Sequence, residues 1–489
     1  MNPLRLALLS NEEMTHADEE AAKAAIDSLH LMEQAGRAVA DAIIQFYPAR
    51  PKTLILCGPG NNGGDGYVVA RLLAEAGWQI VTASAVPLEK LKGDAATNRK
   101  RWQGEDKPLA DWQAEEYGLI VDALFGAGLT RPIEGDFKQA LQKANESQSP
   151  LIAVDMPSGV SGSTGEVLGY APQATHTITF CRKKLGHLLY PGRALCGQVR
   201  LAPIDIPDTI IKDMTPRVFE NDPALLWSLP KPNPQSHKYK RGYALIACGP
   251  LHQTGAARLV ANACLRAGAG IVKIAAPKSA VLVLANHETE VMIMPCEDDQ
   301  AFAALLKEPR LSAICIGPGL GLNDRAENWV KAALTCGKKT VLDADALTIL
   351  ARENLTPPQN TILTPHEGEF ERLFPGLLEK SQTRLEAAQR AAQKRKSIIV
   401  LKGADTIIAA PDGQARINAT GTPWLATAGS GDVLAGIITS LLAQDMNAFD
   451  AASAGAFLHG KAAAAAGPYL IASDLIKNLP QTMAGITGQ

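Results

Sequence analysis

The sequence predicts an α/β protein with two domains, each built on a parallel β-sheet. Two blocks of the chain alternate short β-rich segments with helical segments, a pattern typical of parallel sheets covered by helices on both faces. A proline-rich stretch ending in the basic run HKYKR separates the blocks, at residues 203–241. Because 489 residues exceed one usual hydrophobic core, we expect domains at residues 1–225 and 226–489.

The first block opens with two predicted helices. Ser10 and Glu13 have the spacing of a capping box, which indicates that a helix begins there. The second helix covers LMEQAGRAVADAIIQF, at residues 31–46. Helices then alternate with predicted strands, namely TLILCG (53–58), QIVTASA (79–85), YGLIVDAL (117–124) and LIAVDMPSG (151–159).

The second block repeats this alternation and adds a hairpin near its end. TIIAA and ARIN flank the turn PDGQ and predict that hairpin, and an apolar helix follows Gly429. The predicted strands are GYALIACG (242–249), GIVKIAAP (270–277), SAICIGPG (312–319), TVLDAD (340–345), TILTP (361–365) and SIIVLKG (397–403).

Composition restricts the partners of this chain. A formal net charge of −2 argues against a basic nucleic-acid surface. The eight cysteines are dispersed without a CxxC pair, which disfavours a zinc site of that type and favours a reducing cytoplasm. The longest late apolar run, Val433 to Ala443, is too short to cross a membrane, and the N-terminus is a poor signal peptide.

The first chemical motif is GPGNNGGDG, at residues 58–66, between a predicted strand and a predicted helix. Its glycines satisfy GxGxxG, but a dinucleotide fold also needs an acid at the end of the next strand. That strand, QIVTASA, ends without one, so conventional NAD binding is disfavoured. Asn61, Asn62 and Asp65 instead supply amide and carboxylate oxygens, which hard cations prefer.

Later strand ends in the first block add further polar side chains. Asp122, Asp155 and Ser158 stand at the ends of two of these strands, and the Gly-rich segment FGAGLTRP lies between them. Ligands of open α/β sheets collect at the carboxyl ends of strands. We therefore expect one small-molecule pocket here; the alternative is that Gly and Asn only satisfy tight turns.

The second motif is TAGSGDVLAG, a Gly-rich loop that opens into an apolar helix. Free N–H groups at a helix start can hold phosphate oxygens. Asp432 beside them can remove a proton from a hydroxyl that attacks a phosphoryl group. The alternative is that Asp432 is an ordinary helix cap.

Companion motifs stand at other predicted strand ends of the second block. They are GPGLG (317–321), LDADAL (342–347), TPHEGEF (364–370) and LKGADT (401–406). Lys402 can neutralise phosphate charge, or it is a surface lysine. His366 is either a ligand contact or a solvent-facing side chain.

Four segments of the first block, LMEQAG, NNGGDG, DALFGAGLTR and VDMPSG, resemble the epimerase domain of bifunctional NAD(P)H-hydrate repair enzymes. The resemblance covers residues 1 to about 220. It implies a Rossmann-like three-layer α/β/α domain that interconverts the R and S forms of hydrated NADH and NADPH.

The resemblance also implies the residues of the epimerase site. K⁺ is held by Asn62, Asp122 and Ser158. We take Asp155 as the candidate acid/base group and expect Arg131 to meet a phosphate. The substrate contacts are Asn61, Asn62, Gly63, Gly64, Asp65, Gly126, Ala127, Gly128, Leu129, Thr130, Arg131, Pro132 and Asp155.

The second block resembles the ribokinase-like superfamily, and most closely the nucleotide-dependent NAD(P)H-hydrate dehydratases, over residues 237–480. The resemblance implies hydrate contacts at Ala257, Gly319, His366 and Asp432. One departure is HEGE where the family commonly has HPGE. The implied contacts to the adenine nucleotide are Lys402, Gly403, Ala404, Asp405, Thr406 and Gly431.

The implied dehydratase reaction is phosphoryl transfer followed by elimination. Asp432 removes the proton of the ring hydroxyl, which attacks ADP carrying Mg²⁺, and phosphate then leaves to restore NADH or NADPH. The resemblance also makes a homo-oligomer plausible. Two alternatives remain open, a kinase of a small alcohol such as a vitamin or sugar with an accessory domain, and a non-catalytic binding protein.

Overall fold

The computed structural model describes residues 2–231, 234–359 and 361–487, and the chain divides into two compact units. One unit comprises Asn2–Pro216, and the other begins at Arg217. Within the described ranges, no helix combines the length and apolarity needed to span a membrane.

Strands and helices alternate along the N-terminal unit, as predicted. Its α-helices are α1 (Asn11–Lys23), α2 (Ser28–Phe46), α3 (Asn61–Glu75), α4 (Gly93–Arg101), α5 (Gly135–Glu146), α6 (Gly192–Leu195) and α7 (Asp208–Asp213). Its strands are β1 (Leu8–Leu9), β2 (Thr53–Cys57), β3 (Ile80–Ser84), β4 (Glu105–Pro108), β5 (Leu119–Ala123), β6 (Leu151–Val154), β7 (His176–Phe180), β8 (Lys183–Lys184) and β9 (Gln198–Ala202).

One seven-stranded sheet in the order β4-β3-β2-β5-β6-β7-β9 forms the centre of this unit. Its neighbouring strands all pair in parallel. Alternate residues of β2 face opposite sides: Ile55 packs in the core formed with α2 and α3, whereas Leu54 packs in the core formed with α5. The predicted three-layer α/β/α arrangement is confirmed, and so is the Ser10–Glu13 capping box at α1.

The C-terminal unit has the same kind of alternation. Its α-helices are α8 (Thr254–Arg266), α9 (Lys278–His287), α10 (Asp299–Leu306), α11 (Asp324–Thr335), α12 (Asp345–Arg352), α13 (Glu367–Leu373), α14 (Arg384–Arg395), α15 (Ser430–Ala443), α16 (Ala448–Ala466) and α17 (Ala472–Thr487). Its strands are β10 (Val218–Glu220), β11 (Tyr243–Ala247), β12 (Ile271–Ala276), β13 (Met292–Pro295), β14 (Ala313–Ile316), β15 (Lys339–Leu342), β16 (Ile362–Leu363), β17 (Ile398–Leu401), β18 (Thr406–Ala409) and β19 (Ala415–Asn418).

These strands form one sheet in the order β10-β19-β18-β17-β16-β15-β14-β11-β12-β13. Pairing is parallel from β17 to β13 and antiparallel from β17 through β19, so the predicted hairpin is confirmed. Helices α8, α15, α16 and α17 share one buried apolar core with this sheet. Because β14, β15, β16 and β17 are adjacent and parallel, their carboxyl ends lie side by side at one edge of the sheet.

The proline-rich stretch is more structured than a linker. It contains α7 and also β10, which pairs in parallel with β19. Asn221 just after β10 is buried and donates its side-chain N–H to the carbonyl of Ser453. Because β10 completes the C-terminal sheet, the units divide a few residues before the expected boundary at 225.

Candidate active sites

The NNGGDG motif forms the start of α3 and not the loop that the sequence predicts. Gly60 is the N-cap, and Asn61 is the first helical residue. A Cβ on Gly63 would lie 2.0 Å from the carbonyl oxygen of Gly58, so only glycine allows this close approach to the end of β2. Helical spacing places Asn61 and Asp65 on one face of α3.

A cavity of about 600 Å³ lies beside this helix start, at the carboxyl ends of β2, β5 and β6. Most of the predicted epimerase contacts line it. Gly63, Gly64 and Pro132 are not among its described lining residues, nor are Asp122 and Ser158. The lining residues that the sequence predicted are Asn61, Asn62, Asp65, Gly126, Ala127, Gly128, Leu129, Thr130, Arg131 and Asp155.

Asp155 is held by three donors. Its Oδ1 accepts from Lys184 Nζ at 2.7 Å and from Thr179 Oγ1 at 2.9 Å, and its Oδ2 accepts from the Ala127 N–H at 2.9 Å. The backbone of Asp155 is left-handed, with φ of 66°, and its carbonyl is hydrogen-bonded to His187 Nε2 at 2.8 Å. The strained backbone conformation therefore aims a fixed carboxylate into the cavity.

Electrostatics keep Asp155 ionised. Burial acts to raise its pKa, but the charge and hydrogen bond of Lys184 and the Ala127 N–H outweigh it and lower the pKa to about 2. The Lys184 side chain is only 3% exposed, so water screens this ion pair little. A carboxylate of this kind holds no proton to donate at neutral pH, which argues against the predicted acid role of Asp155.

Two further carboxyls of the cavity behave in the opposite way. Burial raises the pKa of Asp18 to about 6, with Lys184 lowering it in part and Asp155 raising it further. Burial and the Asp155 carboxylate raise the pKa of Asp65 well above its ordinary value. The cavity thus combines an ionised carboxylate with two carboxyls that favour protonation.

Asp122 and Ser158 form a buried oxygen cluster next to this cavity. Asp122 Oδ1 accepts from Ser158 Oγ at 2.6 Å, and Ser158 Oγ lies 3.1 Å from the Phe125 carbonyl. Burial raises the pKa of Asp122 to about 6 despite hydrogen bonds from Ser158 and Leu124. No described lysine or arginine hydrogen-bonds to Asp122, so a hard cation suits this donor set.

In the C-terminal unit, Asp432 occupies the first turn of α15. Gly429 is the N-cap, with a left-handed φ of 83°, and it makes no side-chain cap bond. The interpretation of Asp432 as the helix cap is therefore wrong. The Ser430 N–H donates to the Thr427 carbonyl at 3.3 Å. The next N–H groups of the first turn, at Gly431 and Asp432, have no carbonyl partner within the helix, as an anion site at a helix start requires.

Two strand ends bring charged side chains to this helix start. Lys402, after β17, donates to Asp343, after β15, with 2.8 Å between Nζ and Oδ1. Glu369 Oε2 lies 3.7 Å from the same Nζ. A Cβ on Gly431 would lie 3.5 Å from Lys402 Nζ and 4.0 Å from Asp343 Oδ2, so the ion pair lies against the Gly-rich loop.

The charges of this cluster set the protonation of Asp432. Burial and the Asp343 carboxylate raise its pKa to about 7, while Lys402 lowers it in part. Burial acts to lower the pKa of Lys402, but Asp343 and Glu369 raise it above its ordinary value. Near neutral pH, a proton-accepting carboxylate thus lies close to a permanent ammonium group.

The other predicted contacts take varied places around this edge. His366 is the N-cap of α13 and its Nδ1 accepts from the Gly368 N–H at 3.0 Å. Ala257 is buried within α8, and Gly319 has a left-handed φ of 58°. Glu367, at the departure from HPGE, forms an ion pair with Arg384.

The predicted nucleotide segment, residues 402–406, is a turn between β17 and β18. Thr406 Oγ1 donates to the Gly403 carbonyl at 3.0 Å and closes the turn. Arg384 Nε lies 3.1 Å from Asp405 Oδ1, and Arg384 also donates to the Lys402 carbonyl at 3.1 Å. Arg384 on α14 therefore fixes the turn, while the side chain of Lys402 lies against the Gly-rich loop.

Family models match both units. The NAD(P)H-hydrate dehydratase model matches residues 244–481, and the YjeF-related protein N-terminus model matches residues 28–186. A bifunctional NAD(P)H-hydrate repair enzyme from Thermofilum pendens is 38% identical over 91% of this chain and 89% of its own. The chain belongs to the family of bifunctional NAD(P)H-hydrate repair enzymes.

Other proteins similar to this chain include a second repair enzyme and a solved dehydratase. The repair enzyme of Escherichia coli K12 is 36% identical over 88% of this chain and 84% of its own. A solved ADP/ATP-dependent NAD(P)H-hydrate dehydratase from Bacillus subtilis, co-crystallized with ATP and Mg²⁺, is 31% identical. The match covers 53% of this chain and 95% of that chain, with a TM-score of 0.48.

Sequence reasoning missed several side chains of this NAD(P)H-hydrate repair family member. Asp343 and Glu369 stood inside quoted motifs but received no role, because only their ion pairs with Lys402 distinguish them from neighbouring acids. Lys184 follows a strand in the run RKK, a weak signal. Asp18 lies among the acids of α1 and had no sequence signal at all.

Proposed function

We propose that this chain repairs hydrated NADH and NADPH. The N-terminal unit interconverts the R and S hydrates, and the C-terminal unit dehydrates the S hydrate at the expense of ADP, giving AMP and phosphate. Membership of the repair-enzyme family supports this function. The observation that carries it is the placement of Asp432 beside Lys402 and the Gly-rich start of α15.

In the proposed dehydratase reaction, Asp432 accepts the proton of the ring hydroxyl. Its pKa, raised to about 7, makes it a stronger base than an ordinary aspartate. The hydroxyl oxygen then bonds to the terminal phosphorus of ADP, and the bond from that phosphorus to AMP breaks. Lys402 and the N–H groups at residues 429–431 stabilise the charge on the transferring group.

Elimination completes the dehydration. The ring nitrogen lone pair assists departure of the phosphate, and loss of a ring proton restores the dihydropyridine. Mg²⁺ bound to the ADP phosphates would neutralise their charge, since this ion prefers phosphate oxygens and water. Residues 402–406 and Gly431 are the proposed contacts to the nucleotide, and Ala257, Gly319, His366 and Asp432 those to the hydrate.

For the epimerase site, we propose that the hydrate occupies the cavity at the start of α3. Asp155 has a lone pair beyond its three bound donors and accepts from the substrate hydroxyl. Arg131 is the proposed partner of a substrate phosphate.

K⁺ held by Asn62, Asp122 and Ser158 would fix the adjoining backbone in place. Exchange of KCl for LiCl should then lower the epimerase rate.

The decisive experiment supplies the full chain with ADP, MgCl₂ and a mixture of R and S hydrates of NADH. Full recovery of absorbance at the NADH wavelength, with AMP and phosphate formed in equal amounts, is the expected result. A stable phosphorylated product would instead support a small-alcohol kinase. Binding of the hydrate without turnover would support a non-catalytic protein.

We also propose two further properties of this chain. A homo-oligomer is expected from the family resemblance, and sedimentation of the purified chain measures it. A cytoplasmic location is expected from the dispersed cysteines, all of which are free in the structure, and cell fractionation tests it.

A further inference from the structure

Epimerisation in this cavity needs a group that transfers a proton to and from the substrate hydroxyl. Loss and return of a hydroxyl requires a group that gives and takes a proton near the ring. Asp155 is ionised and occupied by Lys184, Thr179 and the Ala127 N–H. Three other carboxyls line the cavity, namely Asp18 on α1, Asp65 on α3 and Asp94 on α4. Of these, Asp18 and Asp65 interact electrostatically with Asp155.

Accessibility distinguishes these two carboxyls. Asp65 is 8% exposed and lies in the first turns of α3, among the glycines of the NNGGDG motif. Asp18 lines the same cavity and is the more exposed of the two, so its burial is only partial. No described residue hydrogen-bonds to the Asp18 carboxyl, so its oxygens are available to a substrate hydroxyl.

We infer that Asp18 is a catalytic residue of the epimerase site and transfers the proton that makes the substrate hydroxyl a leaving group. The inference rests on the proposed epimerase function and adds a residue that the motifs of the family resemblance do not contain. Asp18 lies on α1, Asp155 follows β6, and Lys184 lies in β8. All three line the cavity, so side chains from separate elements would surround the reacting hydroxyl.

The proposed step balances without another reactant. Asp18 gives its proton to the hydroxyl oxygen, the carbon–oxygen bond breaks, and water leaves. The ring nitrogen lone pair forms a double bond to that carbon, which becomes planar. Water then adds to either face, its proton returns to the Asp18 carboxylate, and the nitrogen regains its lone pair. The product is the R or S hydrate, with no change in oxidation state.

The charges around Asp18 suit this task. Lys184, Asp155, Asp65 and the Cys181 thiol are the titratable groups that face it from the packed elements. Partial burial at the cavity wall and the Asp155 carboxylate raise the pKa of Asp18 to about 6, although Lys184 lowers it in part. This value is near neutral pH, where a group both donates and accepts protons efficiently. Asp65, with a pKa well above its ordinary value, returns to the ionised state less readily.

The test compares three variants of the full chain, Asp18→Asn, Asp18→Glu and the control Glu19→Gln. Glu19 follows Asp18 on α1, but its side chain is 63% exposed and does not line the cavity. Asp18→Asn should slow R-to-S interconversion about 100-fold or more, as expected for loss of general acid catalysis. Asp18→Glu should recover part of the rate, and Glu19→Gln should match the unmodified chain.

The pH profile provides a second measurement. In the unmodified chain, kcat/KM for epimerisation should fall as pH rises through about 6, because Asp18 loses its proton. Asp18→Asn should remove this limb. The circular dichroism spectrum and the thermal unfolding of the same samples report whether the N-terminal unit of each variant is folded.

Three outcomes separate the possibilities. Asp18→Asn within twofold of the unmodified rate, or unchanged pH limbs in that variant, would overturn the role of Asp18 alone. Loss of epimerisation in Asp65→Asn with retention in Asp18→Asn would transfer the role to Asp65 and equally overturn the inference. An unmodified chain that never interconverts the hydrates would refute the proposed function itself.

Discussion

At the residue scale, three charged side chains lie together at the C-terminal site, namely Asp343, Lys402 and Asp432. Asp343 holds Lys402 at 2.8 Å, and this pair lies against the loop that precedes Asp432. The carboxylate of Asp343 favours a proton on Asp432, and the ammonium of Lys402 opposes it. The balance keeps Asp432 close to the pKa that a base needs at neutral pH.

Replacing Asp432 tests its role directly. We expect Asp432→Asn to lower dehydratase kcat by about 10²–10⁴-fold, since the amide accepts no proton. In the unmodified chain, kcat/KM should rise with pH through about 7, because the base must be ionised. Measurement of NADH recovery from S hydrate at pH 5.5 to 8.5 covers this range, and equal turnover in Asp432→Asn would contradict the assignment.

Replacing Asp343 tests how the pKa of Asp432 is set. Asp343→Asn removes a negative charge and releases Lys402 toward Asp432, and both changes favour the ionised carboxylate. We therefore expect the midpoint of the pH–rate profile to move to lower pH, with KM for ADP raised as Lys402 loses its fixed position. The exposed Asp412→Asn, in the hairpin turn, is a matched control. An unmoved midpoint would show that Asp343 does not act on Asp432.

At the scale of elements, the close packing of α15 against α8 places the Gly-rich loop. A Cβ on Gly436 in α15 would lie 2.3 Å from the carbonyl oxygen of Val260 in α8. The Cβ of Ala263 would be 2.8 Å away. Glycine thus lets the two helices approach, and this approach positions the first turn of α15 over the strand ends.

Substitution of Gly436 measures how much the close packing of α15 against α8 contributes to stability. Gly436→Ala should lower the free energy of unfolding by about 1–3 kcal/mol, because backbone atoms of α8 must move. Gly485→Ala in α17, where a Cβ meets nothing within 4 Å, should be neutral or stabilise by up to about 1 kcal/mol. Urea unfolding of both variants gives the comparison, and equal stabilities would show that the two helices can separate freely.

At the scale of the whole molecule, each unit holds a complete set of candidate groups. The lining residues of the epimerase cavity all belong to Asn2–Pro216, whereas Asp343, Lys402 and Asp432 belong to the unit that begins at Arg217. Among the described residues, the candidate groups named for each site all lie within one unit. The two proposed reactions are therefore chemically independent.

Complementation between full-length variants tests this independence. Asp155→Asn should be deficient in epimerisation and Asp432→Asn in dehydration, so neither alone converts R hydrate to NADH efficiently. An equimolar mixture should restore conversion, because the S hydrate diffuses from one chain to another. Each variant tested on its own reaction supplies the control, and failure of the mixture with both single activities intact would contradict independent sites.

Sequence patterns by themselves determined the two parallel sheets, the hairpin and the strand ends that carry Gly, Asn and Asp. These features can be predicted locally, because the periodicity of apolar residues and the turn-forming residues each depend on only a few neighbouring positions. Local patterns did not predict that Asn61 begins a helix or that β10 pairs with β19. Both features depend on contacts with residues far along the chain.

Only the tertiary structure decided which charges meet. Lys184 reaches Asp155 across 29 positions, and Lys402 reaches Asp343 across 59. Asp18, on a helix of many acids, becomes distinctive only because α1 covers the cavity. The pKa of a carboxyl depends on burial and on neighbouring charges in space, and no local sequence pattern encodes either.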